Sequence, residues 1–227
     1  MVNPSKSSSA STSRTKISDV IKYHKNENTQ IGIDVSLWQG NINFEKIKEA
    51  GVEFVFLRVG YSTGQGMPNK IDNNFVKNIK EANRVGVPVG IYFYSMADSK
   101  ERAVEDAKWV IDKIKDYKVD LPIAYDWERW NAYNDYHQRI YHLNENAKVF
   151  LDTVKDAGYE GLLYSSKVFL ENIWYDIGYN VWLAHWLTNT ANKSSYKGKY
   201  EYWQMASNGK VDGIDVPVDI NIRYVNK

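Results

Sequence analysis

Apolar positions along most of the chain fall into two alternating rhythms. Short runs dense in β-branched and aromatic residues occur at residues 31–38 (IGIDVSLW), 52–60 (VEFVFLRVG), 87–95 (VPVGIYFYS), 121–128 (LPIAYDWE) and 161–166 (GLLYSS). Between them lie stretches at 43–50, 72–85, 99–117 and 144–157 whose apolar residues recur every three or four positions, the spacing of a half-buried helix. Asn43, Asp72, Ser99 and Asn144 stand where these helices should begin, with side chains able to cap exposed backbone N–H groups. Gly51, Gly86 and Gly158 stand where three of them should end, since a left-handed residue commonly closes a helix. Ser165 and Ser166 are expected to open a fifth helix over SSKVFLENIW.

A strand–helix rhythm of this kind predicts parallel strands joined by helical crossovers. After residue 175 the rhythm changes. Strand-like runs at 180–186, 199–207 and 217–224 follow one another with gaps too short for full helices. Eight strands and about five main helices therefore predict an α/β fold, a single TIM-like barrel whose last third is helix-poor. A regular barrel of eight βα units takes ~250 residues, more than residues 31–227 supply. Asn208-Gly209 is a hairpin-type signal, so an antiparallel pairing is expected among the final strands. The rival fold is an open doubly wound sheet, which would carry a Gly-rich phosphate loop after its first strand; here that strand runs into DVSLWQG instead.

Residues 1–30 are rich in Ser, Thr, Lys and Asn. They are expected to form a tail or linker, with one short helix near Ile17 to Tyr23, and the barrel is expected to occupy 31–227. The opening MVNPSKSSSASTSRTK carries no apolar signal-peptide core. Export is therefore expected to depend on another segment or another protein. No stretch approaches the ~20 apolar residues of a membrane span.

Composition narrows the chemistry. With 29 basic and 28 acidic residues the net charge is +1, which speaks against a nucleic-acid binder. The absence of cysteine excludes disulfides, thiol nucleophiles and Cys-based zinc sites. The four histidines, at 24, 137, 142 and 185, form no H-E-x-x-H pattern, and His137 and His142 are five apart in what is expected to be a Tyr/Asn-rich loop. No metal and no cofactor is expected. No G-x-S-x-G occurs either. Eight Trp and 17 Tyr are more than a core usually demands, and flat aromatic faces suit sugar rings.

In such a barrel the active site lies at the C-terminal ends of the strands. The residues arriving there are Asp34, Tyr92, Tyr94, Asp126, Glu128, Tyr164, His185, Trp186, Gln204 and Asp219. The sharpest element is AYDWE. Strand side chains alternate, so Asp126 and Glu128 share one face, ~6.5–7 Å apart at Cα, while Tyr125 and Trp127 share the other. Two carboxylates that close cannot both ionise easily, so one is pushed toward its neutral form, the state needed to protonate a glycosidic oxygen. Asp34 fits either a local turn cap or the site. Asp219, on the same face as Asn221, fits either the site or a pairing with Arg58, whose guanidinium needs a partner inside a barrel.

These residues stand in motifs that resemble glycoside hydrolase family 25, the Chalaropsis-type lysozymes: GIDVSLWQG, FVFLRVG, GIYFYS, D-W-E, VWLAHW, YWQMAS and VDIN, in order over residues 31–225. The resemblance implies an eight-stranded barrel that hydrolyses the β-1,4 bond between N-acetylmuramic acid and N-acetylglucosamine in bacterial peptidoglycan. It implies Glu128 as general acid and Asp126 as the group orienting the substrate's own N-acetyl nucleophile, with direct carboxylate attack as the open alternative. Asp34 and Asp219 then line the site, and Tyr94, Tyr164, Trp186 and Gln204 are the expected substrate contacts. The expected partner is the glycan strand outside the cell or in its wall, with no nucleic acid or membrane, and the chain is expected to act as a monomer. The N-terminal 30 residues match nothing in that pattern, and no wall-binding repeat follows. Competing readings are a chitinase-like hexosaminidase, whose longer acidic run is incomplete in DLPIAYDWE, and a glycan-binding barrel without chemistry. A wall amidase or peptidase is disfavoured by the missing Cys and zinc motif.

Overall fold

A computed structural model describes residues 13–64, 66–128 and 139–225. Eight strands close into a barrel: β2 (Thr29–Val35), β3 (Phe54–Tyr61), β5 (Val89–Tyr94), β6 (Ile123–Asp126), β7 (Gly161–Ser166), β8 (Asn180–Ala184), β9 (Tyr202–Lys210) and β10 (Val218–Tyr224). Neighbours from β2 round to β9 run parallel. β10 is inserted antiparallel between β9 and β2 and completes the ring. Two short strands lie outside it: β1 (Thr15–Lys16) pairs with β9, and β4 (Lys70–Ile71) with β3.

Alternation along the strands sorts the side chains into two cores. Inside the barrel, Phe54, Phe56, Ala124, Leu162, Tyr164, Trp182 and Tyr202 pack together, with Phe56 stacked on Trp182 at 4.4 Å between ring centroids. Gly32 and Gly90 make room for them. A Cβ at either would sit 2.5 or 2.4 Å from the Phe54 or Phe56 ring. The opposite faces, including Ile33, Val55, Ile91, Ile123 and Tyr125, join the larger core beneath the helices.

Among the described residues there are six helices: α1 (Ile17–His24), α2 (Phe44–Glu49), α3 (Phe75–Val85), α4 (Lys100–Ile114), α5 (Ile140–Asp156) and α6 (Lys167–Asn172). Asn43, Ser99 and Ser166 cap α2, α4 and α6 through their side chains. Gly51, Gly86 and Gly158 all take positive φ at helix ends. No further helix separates β8, β9 and β10, so the last third is helix-poor, as the spacing predicts.

Four expectations need correction. Asp72 does not cap α3. Asn74 occupies that position, while the Asp72 carboxylate accepts from Leu37 N, Asn74 N and Arg58 Nε. The fourth helix starts at Ile140 rather than Asn144. Asn144 is buried inside it, donating to Ile140 O and Ile173 O and accepting from Tyr175 N. His142, expected in a loop, lies on this helix, and His137 lies outside the described residues. Asn208-Gly209 is no turn. Both residues belong to β9, and the chain reverses between Lys210 and Val218. A Cβ at Gly209 would meet Val218 O at 2.4 Å, so glycine serves close strand approach there.

The ordered structure also begins before residue 31. α1 buries Ile17, Val20 and His24. The His24 ring packs edge-on against Trp203 at 5.6 Å and holds Thr190 O through Nε2 at 2.6 Å. This N-terminal helix covers barrel surface where the final strands bring no helix of their own. Residues 1–12 lie outside the described residues.

Candidate active site

Because seven strands point the same way, their C-terminal ends share one rim, and β10, running the other way, contributes its first residues there. A cleft of about 410 Å³ opens at this rim. Asp34, Tyr94, Asp126, Glu128, Tyr164, Trp186, Gln204 and Asp219 all line it, as do Arg58 and Tyr92. His185 does not. Its Nδ1 pairs with Ser194 Oγ at 2.7 Å, and burial lowers its pKa.

Asp126 is the last residue of β6 and Glu128 follows two positions on, so the strand's alternation carries both toward the cleft. Tyr125 and Trp127 turn the other way, into the packing around Phe150, Phe169 and Trp174. The two carboxyl groups line one cleft together with Tyr164, close enough for the charge of Glu128 to act on Asp126. Asp126 is almost completely buried, and its Oδ1 has no hydrogen-bond partner. Such an atom normally has one, because leaving it unpaired costs about 1–3 kcal/mol.

Loss of hydration dominates the electrostatics. Burial first, then the charges of Glu128 and Asp34, hold Asp126 well above the usual carboxylate range. The Glu128 residue as a whole is exposed at the cleft mouth, yet its carboxyl is desolvated enough to be raised from 4.5. Asp34, aligned with Asp219 across the β2–β10 pair, is raised to about 6 by burial. Asp219 is raised to about 8 by burial and then by Asp34 and Glu128. Among the described residues, four acids thus face one cleft with a single lining cation, Arg58. That cation is already committed to Asp72 at 2.8 Å, which decides against the alternative Arg58–Asp219 pairing.

Asp34 is no turn cap but the centre of a buried network. Its Oδ2 accepts from Gln204 Nε2 and Asn221 Nδ2, both at 2.8 Å. The amides cannot flip freely: Trp182 Nε1 donates to Asn221 Oδ1 at 2.7 Å. Gln204 Oε1 receives Trp186 Nε1 at 2.8 Å and the Tyr164 hydroxyl at 3.0 Å. Indole and phenol donors therefore aim both amide N–H groups at one carboxylate.

Sequence reasoning missed Asn221, Trp182, Ser36, Trp38, Gln39 and Ser207 as parts of this site. Asn221 was accessible, being two residues from Asp219 on the same face. Ser36 and Gln39 also carried a signal, the S-x-x-Q spacing of a capping box, and both halves of that box form. Among the described residues no group of His, Asp or Glu is arranged to hold a metal ion, and no helix is long and apolar enough to cross a membrane.

The arrangement can hold a carboxylic acid neutral beside a buried acceptor at the edge of an aromatic-walled cleft. Residues 33–214 match the family described as Glycosyl hydrolases family 25. The chain is 26% identical over 197 residues to uncharacterized protein YegX of Escherichia coli K12, covering 84% of this chain and 68% of YegX. It is 24% identical over 216 residues to lysozyme M1 of Streptomyces globisporus, covering 84% and 66%. Among solved structures, the modular autolysin LytC of Streptococcus pneumoniae, in complex with a synthetic peptidoglycan ligand, superposes with a TM-score of 0.72 at 29% identity. That match covers 88% of this chain and 48% of LytC, so the chain spans about half the length of that autolysin.

Proposed function

The chain belongs to glycosyl hydrolases family 25, and on that premise we propose that it is a lysozyme, an N-acetylmuramidase cutting the β-1,4 bond between N-acetylmuramic acid and N-acetylglucosamine in bacterial peptidoglycan. The observation that carries this reading is the pair of acids Asp126 and Glu128 lining one cleft, with the Asp126 Oδ1 buried and unpartnered there.

In the proposed reaction, protonated Glu128 gives its proton to the glycosidic oxygen as the C1–O bond breaks. The substrate's acetamido carbonyl oxygen closes on C1 from the opposite face, and Asp126 Oδ1 accepts the acetamido N–H. The leaving sugar departs as the alcohol. Water, deprotonated by Glu128, then opens the cyclic intermediate at C1, and Glu128 recovers its proton. A carboxylate acting as direct nucleophile stands about 5–5.5 Å from the acid, across the sugar. Asp126 stands two residues from Glu128 at the end of one strand rather than on an opposing one, which favours assistance by the substrate over attack by Asp126. Asp34, Asp219, Tyr94, Tyr164, Trp186 and Gln204 bind and shape the substrate in this scheme. The site of action is wall material outside the cytoplasm, reached by a single chain.

Digestion of purified peptidoglycan, borohydride reduction and mass spectrometry of the products test the proposal. Reduced N-acetylmuramic acid at the new ends is expected. Reduced N-acetylglucosamine ends would place the chain with hexosaminidases of the chitinase kind, and intact strands would leave a binding barrel.

A further inference from the structure

Among the described tryptophans only Trp38 and Trp186 are exposed, by 72% and 58%, and both line the acid cleft. Trp186 is tied into the Asp34 network through its indole N–H. Trp38 is supported differently, by the backbone that carries it. It sits in a 3-10 turn, Leu37–Gln39, closed by the Ser36/Gln39 capping box. Asp72 Oδ2 accepts Leu37 N at 2.9 Å, Asn74 Nδ2 donates to Gly40 O at 3.0 Å, and Gln39 Nε2 donates to Pro217 O at 3.2 Å. The turn is thereby fastened to the segment before α3 and to the entry of β10. Asp72, one of its anchors, is itself 2% exposed and clamped by Arg58.

A large indole left open to water gains nothing for the fold. Carried on so well-fixed a support, beside a cleft, it has the character of a preformed contact surface. We propose that Trp38 is a stacking platform for a sugar ring of the glycan strand lying beyond the two rings that straddle the cleaved bond. The proposal rests on the reading that the cleft binds glycan. It adds a dependence on chain length: productive binding draws on a ring held outside the acid pair, so long strands are cut in preference to minimal substrates. A sugar fits this surface because its C–H face matches the indole face while its hydroxyls stay hydrated.

The test compares the wild type, Trp38→Ala and Trp38→Phe on two substrates. One is peptide-free glycan strands; the other is an aryl β-glycoside of N-acetylmuramic acid, which spans only the cleaved bond. Trp38→Ala is expected to lower kcat/KM on strands about tenfold and to change the aryl glycoside less than twofold, with Trp38→Phe keeping most of the strand activity. Equal effects on both substrates would overturn the platform. Binding of peptide-free strands, followed by calorimetry, is the second readout and needs no turnover. A wild type that binds strands without cutting them, with a Kd raised about tenfold by Trp38→Ala, would sink the lysozyme reading and leave the platform standing. Unchanged strand affinity in Trp38→Ala would sink the platform, whatever the turnover. So would a loss confined to peptide-bearing strands, or a wild-type dimer broken by the substitution.

Discussion

Asp34 offers a quantitative handle on the buried acids. Replacing it with Asn removes the charge while keeping the shape, and an Asn oxygen can still accept from Gln204 and Asn221 where Asp34 Oδ2 does so now. Burial raises the folded-state pKa of Asp34 from 3.8 to about 6, so folding favours the protonated form. The wild type therefore bears no penalty below pH 3.8, loses stability as pH rises between the two values, and carries the full cost above pH 6. At 1.36 kcal/mol per pH unit, that cost is about 2–3 kcal/mol. For a domain of this size, 1 kcal/mol moves Tm by roughly 2–4 °C. Thermal unfolding of both proteins from pH 3.5 to 8 should thus show curves that nearly meet at the acid end. The Asp34→Asn protein should lead by about 4–12 °C at pH 7–8, while losing activity. A difference independent of pH, or a variant that falls further behind as pH rises, would refute burial as the dominant force on this carboxyl.

Other consequences follow from the same geometry. Asp126→Asn should lower turnover of peptidoglycan by about 10²–10³-fold, the usual loss of one preorganised polar contact in a reaction site; activity near wild type would remove Asp126 from the mechanism. Turnover should decline as pH rises through the raised pKa of Glu128, because the acid is then ionised. The neighbouring Tyr164 hydroxyl holds that pKa down, so Tyr164→Phe should move the alkaline limb of the kcat profile upward, and a downward shift would contradict the assignment. Val20 of α1 is fully buried, so Val20→Ala should cost about 2 kcal/mol in a denaturant titration. No loss would mean that α1 is not part of the folded domain.

Much of the barrel was legible because period-2 and period-3.6 patterns alternate cleanly up to residue 175, and the acids were legible because strand alternation fixes their common side. The short helix near Ile17 to Tyr23 was legible, but its docking was not: polar surroundings mask the Ile17, Val20 and His24 stripe, at i, i+3, i+7, that packs it onto the barrel. Tertiary partners were hidden too. Arg58 and Asp72 lie 14 residues apart and meet only once β3 is placed beside the segment leading into α3. Trp38 looked like the end of the first strand, but Ser36 begins a capping box there and turns the chain out of the ladder at Val35. Asn208-Gly209 misled because glycine answers to close packing as well as to turns.

The proton-donor role of Glu128 is tested most directly by turnover of Glu128→Gln on two substrates that differ in their need for a proton. General acid catalysis contributes about 10²–10⁴-fold, and only where the leaving group is poor. On peptidoglycan the variant should therefore lose at least 10²-fold. On a dinitrophenyl β-glycoside of N-acetylmuramic acid, whose phenolate leaves unaided, formation of the first intermediate should stay within about tenfold of wild type. Equal losses on both substrates, or equal retention, would contradict Glu128 as the acid.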